Sequence, residues 1–362
     1  MKIDGVAYRS VWVDPGDGWS VHILDQTKLP WALEVLRLTT CDEAAHAIKS
    51  MQTRGAPLIG AVAAYGLCLA LRADASTDAM EHDAALLNAT RPTAVNLRWA
   101  LDRMLTRLRN TSAAERVAVA YAEAGLIADE DVAQNKAIGR HGLPLIEAAV
   151  RPGRAVNVLT HCNAGWLATV DWGTALAPIY TAFNAGIDLH VWVDETRPRN
   201  QGAALTAWEL GKHGVPHTVV ADNAGGHFMQ HGMVDLVIVG ADRVSRTGDA
   251  ANKIGTYLKA LAAHDNGVPF WVAMPSTTID WTLSDGVADI PIEERSATEV
   301  TDMTGRLEDG TIATMRVVAA DSPAANPAFD VTPARLVTGL ITERGRCAAS
   351  ADGLLGLFPE QR

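Results

Sequence analysis

The sequence predicts an α/β protein: a small N-terminal β meander with a helical domain, followed by a Rossmann-like C-terminal domain built on a parallel sheet. Three observations lead to this prediction. The chain has 362 residues, and single hydrophobic cores stop growing at roughly 250 to 300 residues. Apolar positions follow a helical period through much of the first 150 residues. From about residue 154, short apolar runs alternate with helical segments, as in βαβ units.

The N-terminal segment, residues 7–39, alternates apolar and polar positions on both sides of the turn DPGDGW. Such alternation predicts short strands joined as a hairpin or meander. Helical patterns begin near residue 42 and include the uncharged run Ala56–Leu71. This run is shorter than the roughly 20 residues that a membrane span needs, and its Gly and Ala content predicts a closely packed buried helix. We place the domain boundary after residue 135, which gives domains 1–135 and 136–362.

Five apolar runs in the second half predict strands of a parallel sheet with both faces covered. They read AVNVLTH, DLHVWVD, PHTVVA, VDLVIVGA and VPFWVAM. Ligands of open parallel sheets bind beyond the carboxyl ends of the strands. The polar turns after these runs are therefore the candidate functional region.

Charge and cysteine usage exclude several classes of protein. The formal net charge of -11 argues against a nucleic-acid binder, which would need a basic surface. The four cysteines lie far apart without a C-x-x-C, so neither disulfides nor a structural zinc site is expected. The N-terminal stretch does not read as a secretory signal, and a cytoplasmic protein without membrane contact is expected. A dinucleotide site is disfavoured, since the turn HCNAGWLAT lacks G-x-G-x-x-G and carries the bulky Trp166.

Cys162 and Asp242 follow two of the predicted strands. Cys162 precedes a segment that starts a helix, whose dipole would favour the thiolate, although a cysteine there can also simply pack in the core. His161 should point to the opposite face and is expected to be structural. Asp242 closes an apolar run, where partial desolvation would raise its pKa towards that of a general acid; the alternatives are an N-cap or an ion pair with Arg243.

Several turns could bind an anion, although each is weak evidence alone. Gly55 allows close backbone approach, and Pro57 suits a first helical turn, so that the amides there and Arg54 would form an anion site. Arg91 and Pro92 precede another helix. Asn252 and Lys253 are expected to open a helix. Arg199, Asn200 and Gln201 lie where the helix after the second strand should begin, and an amide there could orient a hydroxyl.

In their order and spacing these segments resemble the methylthioribose-1-phosphate isomerases of methionine salvage. The segments are TRGAPLIGA, RPTAVNL, LTHCNAGWLAT, VDETRPRNQGAALTAWEL and the stretch from VGADRV to ANKIGTY. The resemblance extends from about residue 5 to 345. The same fold is shared by the alpha, beta and delta regulatory subunits of the translation-initiation exchange factor and by ribose-1,5-bisphosphate isomerases.

The resemblance implies roles for particular residues. Cys162 and Asp242 match the catalytic cysteine and aspartate of the family. Contacts to phosphate and sugar are implied for the remaining matched positions, which are Arg54, Gly55, Ala56, Arg91, Gln201, Asn252 and Lys253. The implied partner is a small-molecule sugar phosphate, no metal or other cofactor is needed, and the implied assembly is a homodimer.

The implied reaction converts 5-methylthio-α-D-ribose 1-phosphate into 5-methylthio-D-ribulose 1-phosphate. Phosphate on the anomeric oxygen prevents spontaneous ring opening, so an acid such as protonated Asp242 must act at the ring oxygen. Hydrogen then moves from C2 to C1, either as a proton taken by a Cys162 thiolate or as a hydride in a site closed to water. The sequence does not choose between these routes.

The sequence alone leaves three alternative functions open. The substrate could be a related pentose 1-phosphate, such as 5-deoxyribose 1-phosphate or ribose 1,5-bisphosphate, with Trp166 and Trp172 as candidate apolar lining near C5. The chain could be a non-catalytic regulatory subunit of the same fold, against which an intact Cys162 and Asp242 argue. A cysteine hydrolase would need a histidine base, and only the badly placed His161 is evident.

Overall fold

The computed structural model of the protein describes residues 1–91 and 94–362. The predicted N-terminal meander is present as a three-stranded antiparallel sheet, and a short hairpin precedes it. The strands of this part are β1 (Lys2–Ile3), β2 (Val6–Ala7), β3 (Val11–Val13), β4 (Val21–Leu24) and β5 (Val35–Leu38). The sheet is formed by β3, β4 and β5 in that order. Its alternation buries Val21 and Ile23 on the face that meets the helices.

Five helices follow among the described residues, in the region where the helical periodicity begins near residue 42. They are α1 (Cys41–Lys49), α2 (Ala56–Ala73), α3 (Thr77–Ala89), α4 (Val95–Leu108) and α5 (Ala113–Ala149). A capping box starts α1, in which the Thr40 and Glu43 side chains bond each other's backbone amides. Among the described residues, α2 alone is long and apolar enough to cross a membrane by length and composition, and 78% of it is buried. It packs on the other four helices, which confirms the buried helix predicted there.

Helix α5 spans 37 residues and continues through Pro144. It contributes Ile127 to the core of the helical part and Ile138 to the core beneath the parallel sheet. The domain boundary after residue 135 therefore lies inside a continuous helix, and it stays a prediction.

The C-terminal half contains thirteen further strands. They are β6 (Val156–Thr160), β7 (Leu189–Asp194), β8 (His217–Val220), β9 (Leu236–Val239), β10 (Arg243–Ser245), β11 (Ala250–Lys253), β12 (Phe270–Ala273), β13 (Ile279–Asp280), β14 (Asp302–Arg306), β15 (Ile312–Arg316), β16 (Phe329–Thr332), β17 (Gly339–Thr342) and β18 (Gly345–Cys347). The seven-stranded sheet has the order β18-β17-β12-β9-β6-β7-β8, and only β18 is antiparallel to its neighbour. All five predicted strands lie in it.

This half also contains further helices. They are α6 (Leu176–Asn184), α7 (Ala207–His213), α8 (Ala224–Gln230), α9 (Thr256–Asp265), α10 (Gly286–Asp289), α11 (Thr298–Thr301) and α12 (Ala351–Leu357). Chain order in the sheet reverses between β6 and β9: β7 and β8 follow on one side of β6, whereas β9, β12 and β17 extend the other. Such a switch point opens a crevice at the carboxyl ends of the strands. A second sheet, β13-β10-β11-β16, was not predicted.

Candidate active site

One cleft at the switch point brings together the nine residues for which the resemblance implied catalysis or substrate contact. Cys162 follows β6 and Asp242 follows β9, the two strands between which the sheet order reverses. The helical half closes the cleft from the other side with the start of α2. The predicted residues that line the cleft are Arg54, Gly55, Ala56, Arg91, Cys162, Gln201, Asp242, Asn252 and Lys253.

Cys162 has a left-handed backbone with φ 67°, a conformation that costs a non-glycine residue about 1 to 2 kcal/mol. Two threonine hydroxyls hold it there. The Cys162 amide donates to Thr196 Oγ1 at 2.8 Å, and the Cys162 carbonyl accepts from Thr206 Oγ1 at 2.7 Å. The buried thiol is therefore aimed by contacts from the segment after β7.

The thiol is not activated by a helix dipole, so that expectation was wrong. The chain after Cys162 runs as a loop into a 3₁₀ turn at Trp166–Ala168, and the next α-helix begins only at Leu176. Burial raises the pKa of Cys162, while the charges of Arg54 and Lys253 oppose that rise. Because this rise starts from an alkaline pKa, it favours the protonated thiol at neutral pH.

Asp242 is neither an N-cap nor the partner of Arg243 in an ion pair. The chain after it forms β10, and Arg243 NH1 instead lies 3.6 Å from Asp280. The Asp242 amide donates to the carbonyl of Ala251 at 2.9 Å, which fixes the residue beside β11. Burial raises the pKa of Asp242, and the nearby cations Lys253, Arg54 and Arg91 limit that rise. The raised pKa suits a proton donor.

The turn formed by Arg54, Gly55 and Ala56 places a cation and the start of α2 at the cleft. Gly55 has φ 100° and packs so closely on Ala168 that a side chain at position 55 would overlap its backbone, so only glycine fits. Helix α2 begins at Ala56, which leaves first-turn amides unpaired within the helix. The Arg54 guanidinium donates to Asn163 Oδ1 at 2.6 Å and to the Asn163 carbonyl at 2.8 Å.

Asn252 and Lys253 do not open a helix, contrary to expectation. They end β11, whose pairing with β10 and β16 determines their conformation, and α9 begins only at Thr256. Burial lowers the pKa of Lys253, although Cys162 and Asp242 favour its charged form. Its ammonium lies 4.7 Å from the centre of the Phe329 ring. Lys253 is thus a buried cation directed at the same cleft.

Arg91 and Gln201 present polar atoms that the described protein leaves unpaired. Arg91 lies between α3 and α4, and its NH2 is 3.5 Å from Glu293; Pro92 is outside the described residues. Gln201 is 5% exposed and leads into a π-helical turn at Gly202–Thr206. Within the described part of the chain, Arg91 Nε and Gln201 Oε1 are buried without a hydrogen-bond partner. Buried unpaired polar atoms are costly, so a bound ligand is a natural partner.

His161 is buried and bonded at both ring nitrogens. Nδ1 lies 2.8 Å from Asp194 Oδ2, and Nε2 lies 2.9 Å from the carbonyl of Ile254. Lys259 pairs with the same Asp194 oxygen at 3.1 Å. His161 is therefore a structural connection between β6, β7 and the loop after β11, rather than a base for Cys162.

Sequence reasoning missed the residues that hold the predicted ones in place. Thr196, Thr206 and Asn163 bond Cys162 or Arg54, and Asn163 in turn bonds Glu209. Asn163 belongs to the motif LTHCNAGWLAT and Glu209 to the motif VDETRPRNQGAALTAWEL. Membership of these motifs was the signal that could have identified both residues. The motif tryptophans proposed for the C5 end of the sugar do not line the cleft. Trp166 is fully buried in the core, and Trp172 lies against Lys136.

Comparison with known proteins places these features in context. Residues 52–349 match the model of the initiation factor 2 subunit family. The chain is 69% identical over 361 residues to the methylthioribose-1-phosphate isomerase of Acidiphilium cryptum, covering 100% of this chain and 98% of that protein. It is 67% identical to the protein of the same name from Gluconobacter oxydans, with 100% and 99% covered.

Solved structures with the same fold include an isomerase and a protein described as a translation factor. The 5-methylthioribose 1-phosphate isomerase of Pyrococcus horikoshii matches with a TM-score of 0.83 and 40% identity, over 98% of this chain and 96% of that one. A structure titled translation initiation factor eIF-2B, subunit delta, from A. fulgidus matches with a TM-score of 0.81 and 39% identity, over 98% and 100%.

Proposed function

This chain belongs to the methylthioribose-1-phosphate isomerases of the initiation factor 2 subunit family, and we propose that it performs that isomerisation in the cleft between β6 and β9, with Cys162 and Asp242 as catalytic residues. The reaction is a step of methionine salvage. The observation that best supports this site is the convergence of both residues with three cationic side chains in one cleft.

The cations of the cleft suit a phosphate dianion. Arg54, Arg91 and Lys253 line the cleft together, and the first-turn amides of α2 add hydrogen-bond donors. Gln201 and Asn252 are uncharged and suit the sugar hydroxyls. Because a guanidinium binds phosphate oxygens through paired N–H groups, we assign the phosphate to Arg54 and Arg91.

Asp242 is the proposed acid for ring opening. Its pKa is raised by burial, so it keeps a proton to a higher pH than an exposed aspartate. It donates this proton to the ring oxygen as the C1–O4 bond breaks. The resulting Asp242 carboxylate then accepts the proton of the 2-hydroxyl as the C2 carbonyl forms, so no net proton is consumed.

The hydrogen on C2 is proposed to move to C1 as a hydride. A buried thiol with a raised pKa is a poor base at neutral pH, which disfavours proton abstraction by Cys162. A hydride moving to the electron-poor C1 as O2 loses its proton balances the reaction without a base at carbon. Cys162 then borders the reacting carbons and keeps water from them.

Turnover of 5-methylthioribose 1-phosphate, followed by phosphorus NMR, tests the function. We expect the ketose phosphate to form, and its absence would refute the assignment. Substrate deuterated at C2 tests the route: deuterium retained at C1 in ordinary water supports hydride transfer, whereas its exchange for solvent hydrogen would contradict it. Equal turnover of 5-deoxyribose 1-phosphate would mean that the cleft does not select the methylthio group.

We also propose that the enzyme acts as a cytoplasmic homodimer. The resemblance to the isomerase family supports this assembly. Light scattering of the purified protein tests it, and a mass near the 38.5 kDa of one chain would contradict a dimer.

A further inference from the structure

A buried glutamate behind the cleft is not used by the proposed reaction. Glu209 lies on α7 and is completely buried. Its Oε1 accepts from Asn163 Nδ2 at 3.0 Å, and its Oε2 accepts from the amide of Leu167 at 3.2 Å. The carboxyl packs directly on Gly165, where any side chain would overlap it. Glycine at position 165 therefore leaves the room that the Glu209 carboxyl group occupies.

Asn163 joins Glu209 to a cation of the cleft. The amide oxygen of Asn163 accepts from Arg54 at 2.6 Å, while its amide nitrogen donates to Glu209. Because Arg54 only donates hydrogen bonds, Asn163 is fixed with its nitrogen towards Glu209. The described residues place no Lys or Arg in direct ion-pair contact with Glu209, so Arg54, one side chain away, is the countercharge that these contacts supply.

We propose that Glu209 is a positioning residue that acts through Asn163 to orient the Arg54 guanidinium, and that its carboxylate charge opposes the charge of a phosphate bound at Arg54. This inference rests on the proposed role of Arg54 in binding phosphate. Thr206, which bonds both Asn163 Nδ2 and the Cys162 carbonyl, links the same array to the catalytic thiol.

The protonation of Glu209 gives the array a measurable signature. Burial raises the pKa of Glu209 to about 8, and hydrogen bonds from Leu167 and Asn163 and the charge of Arg54 limit the rise. The other titratable group that faces it is Tyr180 on α6, whose own pKa burial and Glu209 raise well above its usual value. Tyr180 thus stays neutral while Glu209 titrates.

Binding of phosphate and protonation of Glu209 should favour each other. Two anions on either side of Asn163 repel, so bound phosphate raises the pKa of Glu209 and draws a proton onto it. By the same linkage, phosphate affinity falls as the pH rises through about 8. A side chain that only fills space at position 209 would not produce this proton uptake.

Calorimetric titration of the intact protein with inorganic phosphate at pH 8, in buffers of different ionisation enthalpy, measures the uptake. We expect the wild type to take up about 0.4 proton per site more than Glu209→Gln. From pH 7 to 9 the wild-type affinity should fall at least about threefold more than that of the variant. Lys253 and Cys162 also titrate in the cleft, so the difference between the two proteins is the decisive quantity.

Asp131→Asn is the matched control, because Asp131 is another buried carboxyl with a raised pKa, about 7, and it bonds the amide of Val170 instead. This variant should keep the wild-type uptake. Equal uptake by wild type and Glu209→Gln would overturn the inference.

The variant Arg54→Ala distinguishes the assignment of phosphate to Arg54 from the proposed role of Glu209. Unchanged phosphate affinity in that variant would overturn both the phosphate assignment and the role of Glu209. If phosphate affinity depends on Arg54 but proton uptake does not depend on Glu209, the role of Glu209 alone is overturned. If Glu209→Gln does not fold, infrared spectra of Asp242→Asn at pH 8 replace it: growth of a protonated-carboxyl band on phosphate binding supports the inference, and no growth overturns it.

Discussion

Removing the hydroxyl of Thr196 should misplace the Cys162 thiol, which we propose to be catalytic, without disrupting the proposed phosphate site. Thr196→Val keeps the shape of the side chain but removes the acceptor of the Cys162 amide, 2.8 Å away. Cys162 is 8% exposed, and a buried amide left unpaired costs about 1 to 3 kcal/mol. Without this hydrogen bond the left-handed backbone conformation of Cys162 is less stabilised, and relaxation to negative φ becomes favourable.

The size of the effect follows from that cost. If about 1 to 3 kcal/mol separates the productive from the relaxed conformation, the productive population and kcat fall about 5- to 140-fold, since 1.4 kcal/mol corresponds to a factor of ten. The KM should change little, because Arg54 and Lys253 make no hydrogen bond to Thr196 among the contacts of the described chain. Steady-state kinetics with 5-methylthioribose 1-phosphate measures both constants, and urea denaturation measures stability.

Thr342→Val provides the control. Thr342 is fully buried, and its hydroxyl donates to the Gly345 carbonyl at 3.2 Å, at the end of β17. It should lose stability and keep its kcat. If the two variants have the same kcat, the hydroxyl of Thr196 does not aim the thiol, and the argument from backbone conformation is refuted.

Three further predictions concern the site and the buried acids. Asp242→Asn should lower kcat at least about 100-fold, the lower end of acid-base contributions, and Cys162→Ser should lower it by a similar factor because a hydroxyl would hold water beside the reacting carbons; a smaller loss in steady-state assays would remove that residue from catalysis. Arg54→Ala should mainly raise KM, because a clamp on a non-reacting phosphate binds substrate and transition state alike; an unchanged KM would exclude the clamp. Burial raises the pKa of Asp131 to about 7, so its contribution to stability is present at low pH and lost as the pH rises through about 7. The stability of Asp131→Asn relative to wild type should therefore increase between about pH 4 and 7 in urea denaturation, and a constant difference would contradict this.

The parallel sheet was predictable because its strands are buried on both faces and read as short apolar runs. Its strand order was not predictable from those runs, yet the general rule for parallel sheets was enough to direct attention to Cys162 and Asp242. Strand β17 and the edge strand β18 were not predicted, since the run at Gly339–Thr342 is short and resembles the loops around it.

The errors at Cys162 and Lys253 have a common physical cause. Both residues take their conformation from distant parts of the chain. Lys253 pairs with Phe329 of β16, so a local pattern typical of a helix start is overridden by strand pairing. Cys162 is held by Thr196 and Thr206, 34 and 44 residues further on. No window around either residue contains these partners.

Helix α5 has a consequence for anyone who wishes to divide this enzyme. Its Ile127 and Val132 pack in one core, whereas Ile138 and Ile146 pack in the other, and no loop interrupts the helix between them. A cut near residue 135 would leave each fragment with half a helix whose apolar stripe has lost part of its support. The connection between Ala149 and Val156 is the better place for a split-protein design, because there both fragments keep their helical turns intact.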